Sequence, residues 1–169
     1  SACLVGSEMC IRDRSGTALA GILTGRINPS GKLAETFPRV YEDTPTGHNG
    51  QFGRDDMVCY EEEIMVGYRH YEKNDILPMF CFGHGLSYTE FAYHDLQVKQ
   101  DNDAKDRVSI SFDIENVGQI DGREIVQIYV RDEECTVIRP EKELKAFKSI
   151  TLKAGSICSC LLYTSPSPR

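Results

Sequence analysis

The chain is predicted to be mainly β and to end in a β-sandwich. Three observations predict this. Val108, Ile110, Phe112 and Ile114 alternate with Ser109, Ser111, Asp113 and Glu115. That period of two marks a half-buried strand. Val126, Ile128 and Val130 repeat the alternation around Gln127 and Tyr129. Between the two runs, Asn116–Gly122 holds two glycines and an Asp-Gly pair, which turn the chain. Strands joined by short turns pack as two face-to-face sheets.

The elements follow in order. Residues 15–23 are small and apolar, with Ala18, Leu19, Ile22 and Leu23 near helical spacing and Gly25 placed to cap the helix end. Asn28-Pro29-Ser30-Gly31 signals a turn. Leu33–Phe37 is predicted to be a short strand stopped by Pro38. Arg39–Asp56 is polar and rich in Gly, Pro, Asp and Asn, the composition of a long loop. Leu96 and Val98 belong to a strand before Val108, and Ile150 and Leu152 to a later one, followed by a turn at Ala154-Gly155. Leu144, Phe147 and Ile150 stand three apart, which by itself fits a helix better than a strand.

The two ends read as foreign to the rest. Cys160–Arg169 can be encoded by DNA whose reverse complement, in another frame, encodes Val5–Asp13. That DNA matches a transposase adapter used in preparing sequencing libraries. Residues 1–14 and 160–169 are therefore expected to be adapter-derived, to lie outside the natural protein and to make few long-range contacts. On this reading both natural termini are missing.

Setting the ends aside removes three of the 19 basic residues and two of the 26 acidic ones. The remaining 16 and 24 give a formal net charge of −8. Dispersed acidity of this kind excludes a nucleic-acid or anionic-membrane surface, both of which need clustered Lys and Arg. No run is long and apolar enough to form a membrane-spanning helix. Four cysteines remain, Cys59, Cys81, Cys135 and Cys158, with no C-x-x-C pair and no zinc spacing. Scattered thiols favour a reducing compartment, so cytoplasmic is slightly favoured, but with the natural start missing on this reading the lack of a signal peptide is uninformative and the location stays unknown.

Four blocks carry the functional signal. They are NPSGKLAETFP at Asn28–Pro38, YEEEIMVGYRHY at Tyr60–Tyr71, FCFGHGLSYTEF at Phe80–Phe91 and RPEKELKAF at Arg139–Phe147. A Gly-His-Gly bend flanked by aromatics is a shaped corner, because glycine is needed where φ is positive or backbones approach closely. In this order, the blocks resemble the C-terminal region of family 3 glycoside hydrolases, the β-glucosidase family. The resemblance covers about residues 15–159 and implies a domain plan. Residues 15–56 would be the C-terminal edge of an α/β sandwich domain plus a loop, 57–91 a connecting segment, and 92–159 a fibronectin type III-like (immunoglobulin-like) β-sandwich. About seven strands complete such a sandwich, and four or five are counted before Cys160, so it is expected to be truncated. The resemblance also makes Leu144–Ile150 a strand, with a bulge or a switch of face.

The implied activity is retaining, exo-acting hydrolysis of O-glycosidic bonds in carbohydrate metabolism. It would run on two carboxyl groups about 5 Å apart, through a covalent glycosyl-enzyme intermediate. In the family the nucleophile is an aspartate of a barrel domain and the acid/base usually a glutamate of the α/β domain, both upstream. No catalytic residue is therefore assigned here, and the chain alone is expected to be inactive. The partner would be a β-glucoside or oligosaccharide, acting through the full-length enzyme. No cofactor and no metal ligand is assigned.

Glu61-Glu62-Glu63 is an acidic cluster beside the shaped blocks. Glu62 matches the family glutamate of a Tyr-x-Glu-Gly or Tyr-x-Glu-Asp segment, and Glu63 stands where Gly or Asp is usual. Glu62 is a candidate to support sugar-binding residues from behind. Arg69 is a second such candidate, although the favoured reading is an arginine fork that braces a loop against a carboxylate or carbonyls. His84, between two glycines, reads as a packing or backbone hydrogen-bond residue. The aromatics Tyr60, Tyr68, Tyr71, Phe80, Phe82 and Tyr88 fit a seam between two domains, with a carbohydrate platform as the alternative. The rival to an enzyme fragment is a non-catalytic β-sandwich module for adhesion or carbohydrate binding. It has no use for the Asn28–Pro38 block.

Overall fold

A computed structural model describes residues 16–50, 60–100, 108–133 and 137–164. A helix, α1, is described over 16–23. Gly25 ends it at φ 71°, with its N–H donating to Ile22 O (2.9 Å) and Ile27 N–H donating to Gly21 O (2.9 Å). The expected glycine cap is present.

Leu33–Phe37 is not a strand. Phe37 makes one antiparallel bridge with Phe80, and the rest of 28–36 is irregular. The segment has no continuous edge to pair with and is fixed by separate contacts instead. The expected loop after Pro38 is likewise broken up over its described part. A 3₁₀ turn covers Tyr41–Asp43, and α2 covers Pro45–Asn49. Thr44 caps α2 by accepting from Gly47 N–H, and Pro45 opens it. A third helix, α3, covers Tyr68–Lys73 and starts from Gly67 at φ 57°. Glu63 sits at φ 48°, which accounts for glycine or aspartate being usual there.

Among the described residues, five strands form the second half: β1 (Phe91–Gln100), β2 (Val108–Asn116), β3 (Gly122–Val130), β4 (Glu143–Leu152) and β5 (Ile157–Thr164). They make two antiparallel sheets, ordered β1-β2-β5 and β3-β4. Ile110, Phe112, Ile114, Val126, Ile150, Leu152 and Cys160 form one buried cluster between the sheets. Val108 and Ile128 pack against it half-buried. The mainly β sandwich and its inward residues thus agree with the alternation in the sequence. Leu96 lies within the register shift at His94/Gln97 on edge strand β1 and Val98 just beyond it, and both stay exposed.

The irregular spacing in β4 resolves as a bulge. Ile128 pairs with Ala146 and Tyr129 with Leu144, leaving Lys145 as the extra residue. Leu144 and Phe147 then share the face of Tyr129 and Gln127, whereas Ile150 faces the core.

One expectation about the ends is corrected. Cys160–Thr164 is the second half of β5, paired with β2 from Phe112↔Cys160 to Val108↔Thr164. Cys160 is buried among core residues, and Leu162 packs beside it. The physical reason is pattern: Cys158, Cys160 and Leu162 alternate with Ser159 and Leu161, and that period fits the inner face beside β2. Residues 1–14 and 165–169, and the expected thiols Cys59 and Cys135, lie outside the described residues.

Asn116 ends β2 fully buried. Its Oδ1 accepts from Thr89 Oγ1 (2.5 Å) and Gly118 N–H (3.1 Å). Its Nδ2 donates to Ile120 O (2.9 Å) and Leu152 O (3.3 Å). Both acceptor and both donor positions of the amide are used.

Candidate functional site

The four sequence blocks converge. Residues 28–38 run beside 80–88. Leu33 N–H donates to His84 O (2.8 Å) and Gly83 N–H to Leu33 O (2.8 Å), and Phe37 and Phe80 rings meet edge to face at 6.4 Å. Asn28 Oδ1 accepts from Ser87 Oγ (3.0 Å) and Tyr88 N–H (2.8 Å), and its Nδ2 donates to Asp121 O (3.0 Å). Tyr88 OH donates to Ile22 O (2.8 Å). The glycines of the bend are required by space. A Cβ on Gly85 would collide with the Gly31 carbonyl, and Gly83, at φ 79°, abuts Gln127 Oε1. His84 serves this corner through its backbone, with its ring tilted on Phe80 at 5.1 Å.

The other two blocks meet through α3. The Tyr68 ring lies 5.1 Å from Phe82 and 5.9 Å from Tyr129, and its hydroxyl accepts from Leu144 N–H (2.9 Å). Arg69 pairs with Glu143 Oε1 (3.1 Å) and donates to Ile64 O (3.4 Å). Its guanidinium therefore joins α3 and the turn before it to β4. The Lys145 ammonium (2.8 Å), helped by Arg69 and Arg139, holds the Glu143 carboxyl below the usual carboxylate range. Lys142 pairs with Glu72 Oε1 (2.6 Å) and stands 5.3 Å above the Tyr129 ring. Lys32 pairs with Glu124 at 3.0 Å.

His70, which the sequence reading did not single out, is 4 % exposed. Its Nδ1 meets Asn74 Nδ2 (3.2 Å), a donor, so Nδ1 accepts and Nε2 carries the proton. Nε2–H then donates to Asp43 O (3.2 Å). Burial pushes the His70 pKa below 6.5, the Asp43 hydrogen bond opposes that, and His48 adds to it. The neutral ring ties α3 to the 3₁₀ turn.

Glu62 is half-buried, and its carbonyl accepts from Met65 N–H (2.7 Å). Among the described residues no hydrogen bond or ion pair joins Glu62 to Arg69, so these two sequence candidates do not form one site. What sequence reasoning missed is a cavity of about 430 Å³ at the seam. Tyr68, Tyr71 and Phe82 line it together with Thr36, Glu72, Gln127, Tyr129 and Lys142. Thr36 Oγ1 and Glu72 Oε2 are shielded there and, among the described residues, have no hydrogen-bond partner. A faint signal was available: Gln127 and Tyr129 fill the outward positions of a strand, where a solvated face would carry charge. Among the described residues no group of three His, Cys, Asp or Glu could hold a metal ion, and no helix is long and apolar enough to cross a membrane.

Comparison with known proteins matches this arrangement. The family model described as "Glycosyl hydrolase family 3 C-terminal domain" matches residues 10–88, and "Fibronectin type III-like domain" matches 124–159. Thermostable beta-glucosidase B of Acetivibrio thermocellus is 50% identical over 141 residues, covering 83% of this chain and 18% of that protein. Probable beta-glucosidase K of Emericella nidulans is 46% identical over 149 residues, covering 85% of this chain and 16% of that protein. The structure of beta-glucosidase 3B from Thermotoga neapolitana in complex with glucose superposes with a TM-score of 0.81 at 40% identity, over 90% of this chain and 21% of that one. The chain thus spans about a fifth or less of the length of these relatives. Through both of its halves, the chain belongs to the family 3 glycoside hydrolases, as a stretch of their C-terminal region.

Proposed function

We propose that this chain is the C-terminal portion of a retaining, exo-acting β-glucosidase, which hydrolyses O-glycosidic bonds of a β-glucoside or oligosaccharide. One observation carries the reading. The β-glucosidase relatives align across both the motif-bearing half and the sandwich, not across the sandwich alone. The interlock of Asn28–Pro38 with the Gly-His-Gly bend supports it as well. A free-standing adhesion or binding module gives no reason for that interlock.

In this role the described residues do structural work. Arg69, Tyr68 and Lys142 clamp the connecting segment to β4, and Asn28 and Tyr88 clamp it to the segment before. The nucleophile and acid/base are assigned to other parts of the enzyme, and Glu62 to a supporting position. No cofactor is needed for hydrolysis by two carboxyl groups.

The test is expression of the reading frame extended through its flanking DNA, assayed on aryl β-glucosides beside the 169-residue chain. Turnover with retention at the anomeric carbon is expected from the extended protein, and none above background from the chain alone. Turnover by the chain alone that disappears in Glu62→Gln would overturn the placement of the catalytic pair.

A further inference from the structure

We infer that residues 41–49 form a strap which is fastened to α3 through His70 and released on acidification, opening the wall of the cavity beside it. The strap is two short turns of helix, Tyr41–Asp43 and Pro45–Asn49. Tyr41, Glu42, Thr46 and His48 on it are exposed. Short elements with few buried contacts open at low cost. α3 is held more firmly. Tyr68 bonds to Leu144, Arg69 pairs with Glu143 and Glu72 with Lys142, so three of its six residues are tied to β4 or to the residue before it.

The fastening fits a neutral ring alone. His70 Nε2–H donates to Asp43 O on the strap (3.2 Å). Asn74 Nδ2 donates to His70 Nδ1 (3.2 Å) and also to His70 O (2.9 Å). A proton taken from water adds to Nδ1, the acceptor nitrogen. Nδ1–H then faces an N–H of Asn74, donor against donor. Turning the amide does not cure this, because Oδ1 would then stand against the His70 carbonyl and the bond to that carbonyl would be lost. The ring is buried, so the new charge would also lack hydration. Release of the strap removes both faults. The ring is then free to turn Nδ1 away from Asn74, and water reaches it.

The surrounding charges act in the same direction, with one exception. Burial is the main influence that keeps His70 neutral in the fastened state. His48, on the strap, meets the His70 ring edge to face at 5.5 Å. Histidines take up protons in this pH range, and a proton on His48 repels one on His70. Lys73 adds to that repulsion, and Glu62 opposes it without reversing the balance. The Asp43 carboxylate is engaged within its own turn, where Oδ2 accepts from Arg39 N–H (3.3 Å) and Val40 N–H (3.4 Å). The released state therefore binds the proton more readily, and falling pH favours it. The strap supplies Thr44 and Pro45 to a cavity of about 440 Å³, whose other walls include Thr36, Val66 and Tyr71. Its departure opens that cavity. Nothing in this device depends on the β-glucosidase reading.

The test is NMR of the 169-residue chain between about pH 7.5 and about pH 5. Amide exchange, corrected for its own pH dependence, should show protection lost at Asp43, Thr44 and His48, whose N–H groups bond to Val40, Tyr41 and Thr44 carbonyls. That loss should come ahead of α3, with β2 unaffected, and Val66 should shift over the same range. Asn74→Asp supplies a carboxylate that accepts from Nδ1–H, so the strap should stay fastened at the acid end. Asn74 is exposed, and circular dichroism checks that the variant folds. His48→Gln removes the like charge and should move release to lower pH; it carries the test if Asn74→Asp does not fold. Protection kept by the strap at the acid end, or α3 lost before it, would overturn the device. So would a Val66 signal that ignores pH, or a release profile unchanged in the folded variant that carries the test.

Discussion

The two halves of the molecule are held together by different physics. In the sandwich, ladders of backbone hydrogen bonds carry an apolar cluster centred on Ile114, which is wholly buried. In residues 16–90, the buried residues include Met65, His70, Tyr71 and Thr89, and two of those four side chains are polar. There the chain is fixed by directed contacts such as Asn28 to Tyr88, His70 to Asp43 and Tyr88 to Ile22. Apolar burial tolerates changes that keep volume and pattern. Directed bonds depend on particular atoms, and removing one partner strands the other. The first half should therefore be sensitive to chemistry and the second to volume.

The largest effect should come from Phe112→Ala in the core. A loss of about 3–5 kcal/mol in chemical denaturation is expected. A loss under 1 kcal/mol would mean that the two sheets do not share a core. Asn116→Ala should follow, at about 3 kcal/mol, because it leaves shielded groups of Thr89, Ile120 and Leu152 unpaired. A near-neutral result would show that water replaces the amide.

The pH dependence separates the halves without changing volume. Burial keeps the His70 pKa below its ordinary value of 6.5. The unfolded chain therefore takes up the proton first as pH falls. The contribution of His70 is full above about pH 6.5 and declines as pH drops through that value towards the lower folded one. Hydrogen exchange should show protection lost around α3 and the 3₁₀ turn on going from pH 7 to pH 5, with β2 less affected. His70→Gln should remove most of that difference, and an unchanged pH response in it would place the titration elsewhere.

The smallest effect should be Arg69→Ala. Its ion pair is partly exposed, so about 1 kcal/mol is expected, and the pKa of Glu143 should rise. A Glu143 pKa that stays put would mean that Lys145 and Arg139 set it without Arg69.

How far the sequence could be read follows the same division. The period of two in Val108–Ile114 encodes strand, face and burial at once, so β2 and β3 were legible residue by residue. The bulge at Lys145 was visible as a broken period. Leu33–Phe37 misled, because alternation says nothing about whether an edge is available to pair with. Cys160–Thr164 misled in the other direction, since pairing with β2 depends on pattern and not on origin. At the candidate site, Gly83 was legible because its positive φ is a local demand, whereas Gly85 is required by the Gly31 carbonyl from a distant stretch. Thr36, Glu72, Gln127 and Lys142 come from four separate stretches, and nothing in one dimension says that they meet. His70 was hidden because the partners on its two ring nitrogens include a backbone carbonyl 27 residues away.

The saturated amide of Asn116 has a mechanical consequence. It touches the chain just before β1 through Thr89, the turn after β2 through Gly118 and Ile120, and the end of β4 through Leu152. Those points lie on both sheets and on the chain leading into them. Only the bond to Thr89 reaches residues 16–90, and the other three hold the sandwich to itself. Load between the halves would be shared with the Asn28–Asp121 and Tyr68–Leu144 hydrogen bonds and the Arg69–Glu143 pair. Asn116 acts as a rivet, fastening the end of β2 to β4 so that load reaching it through Thr89 passes into both sheets at once.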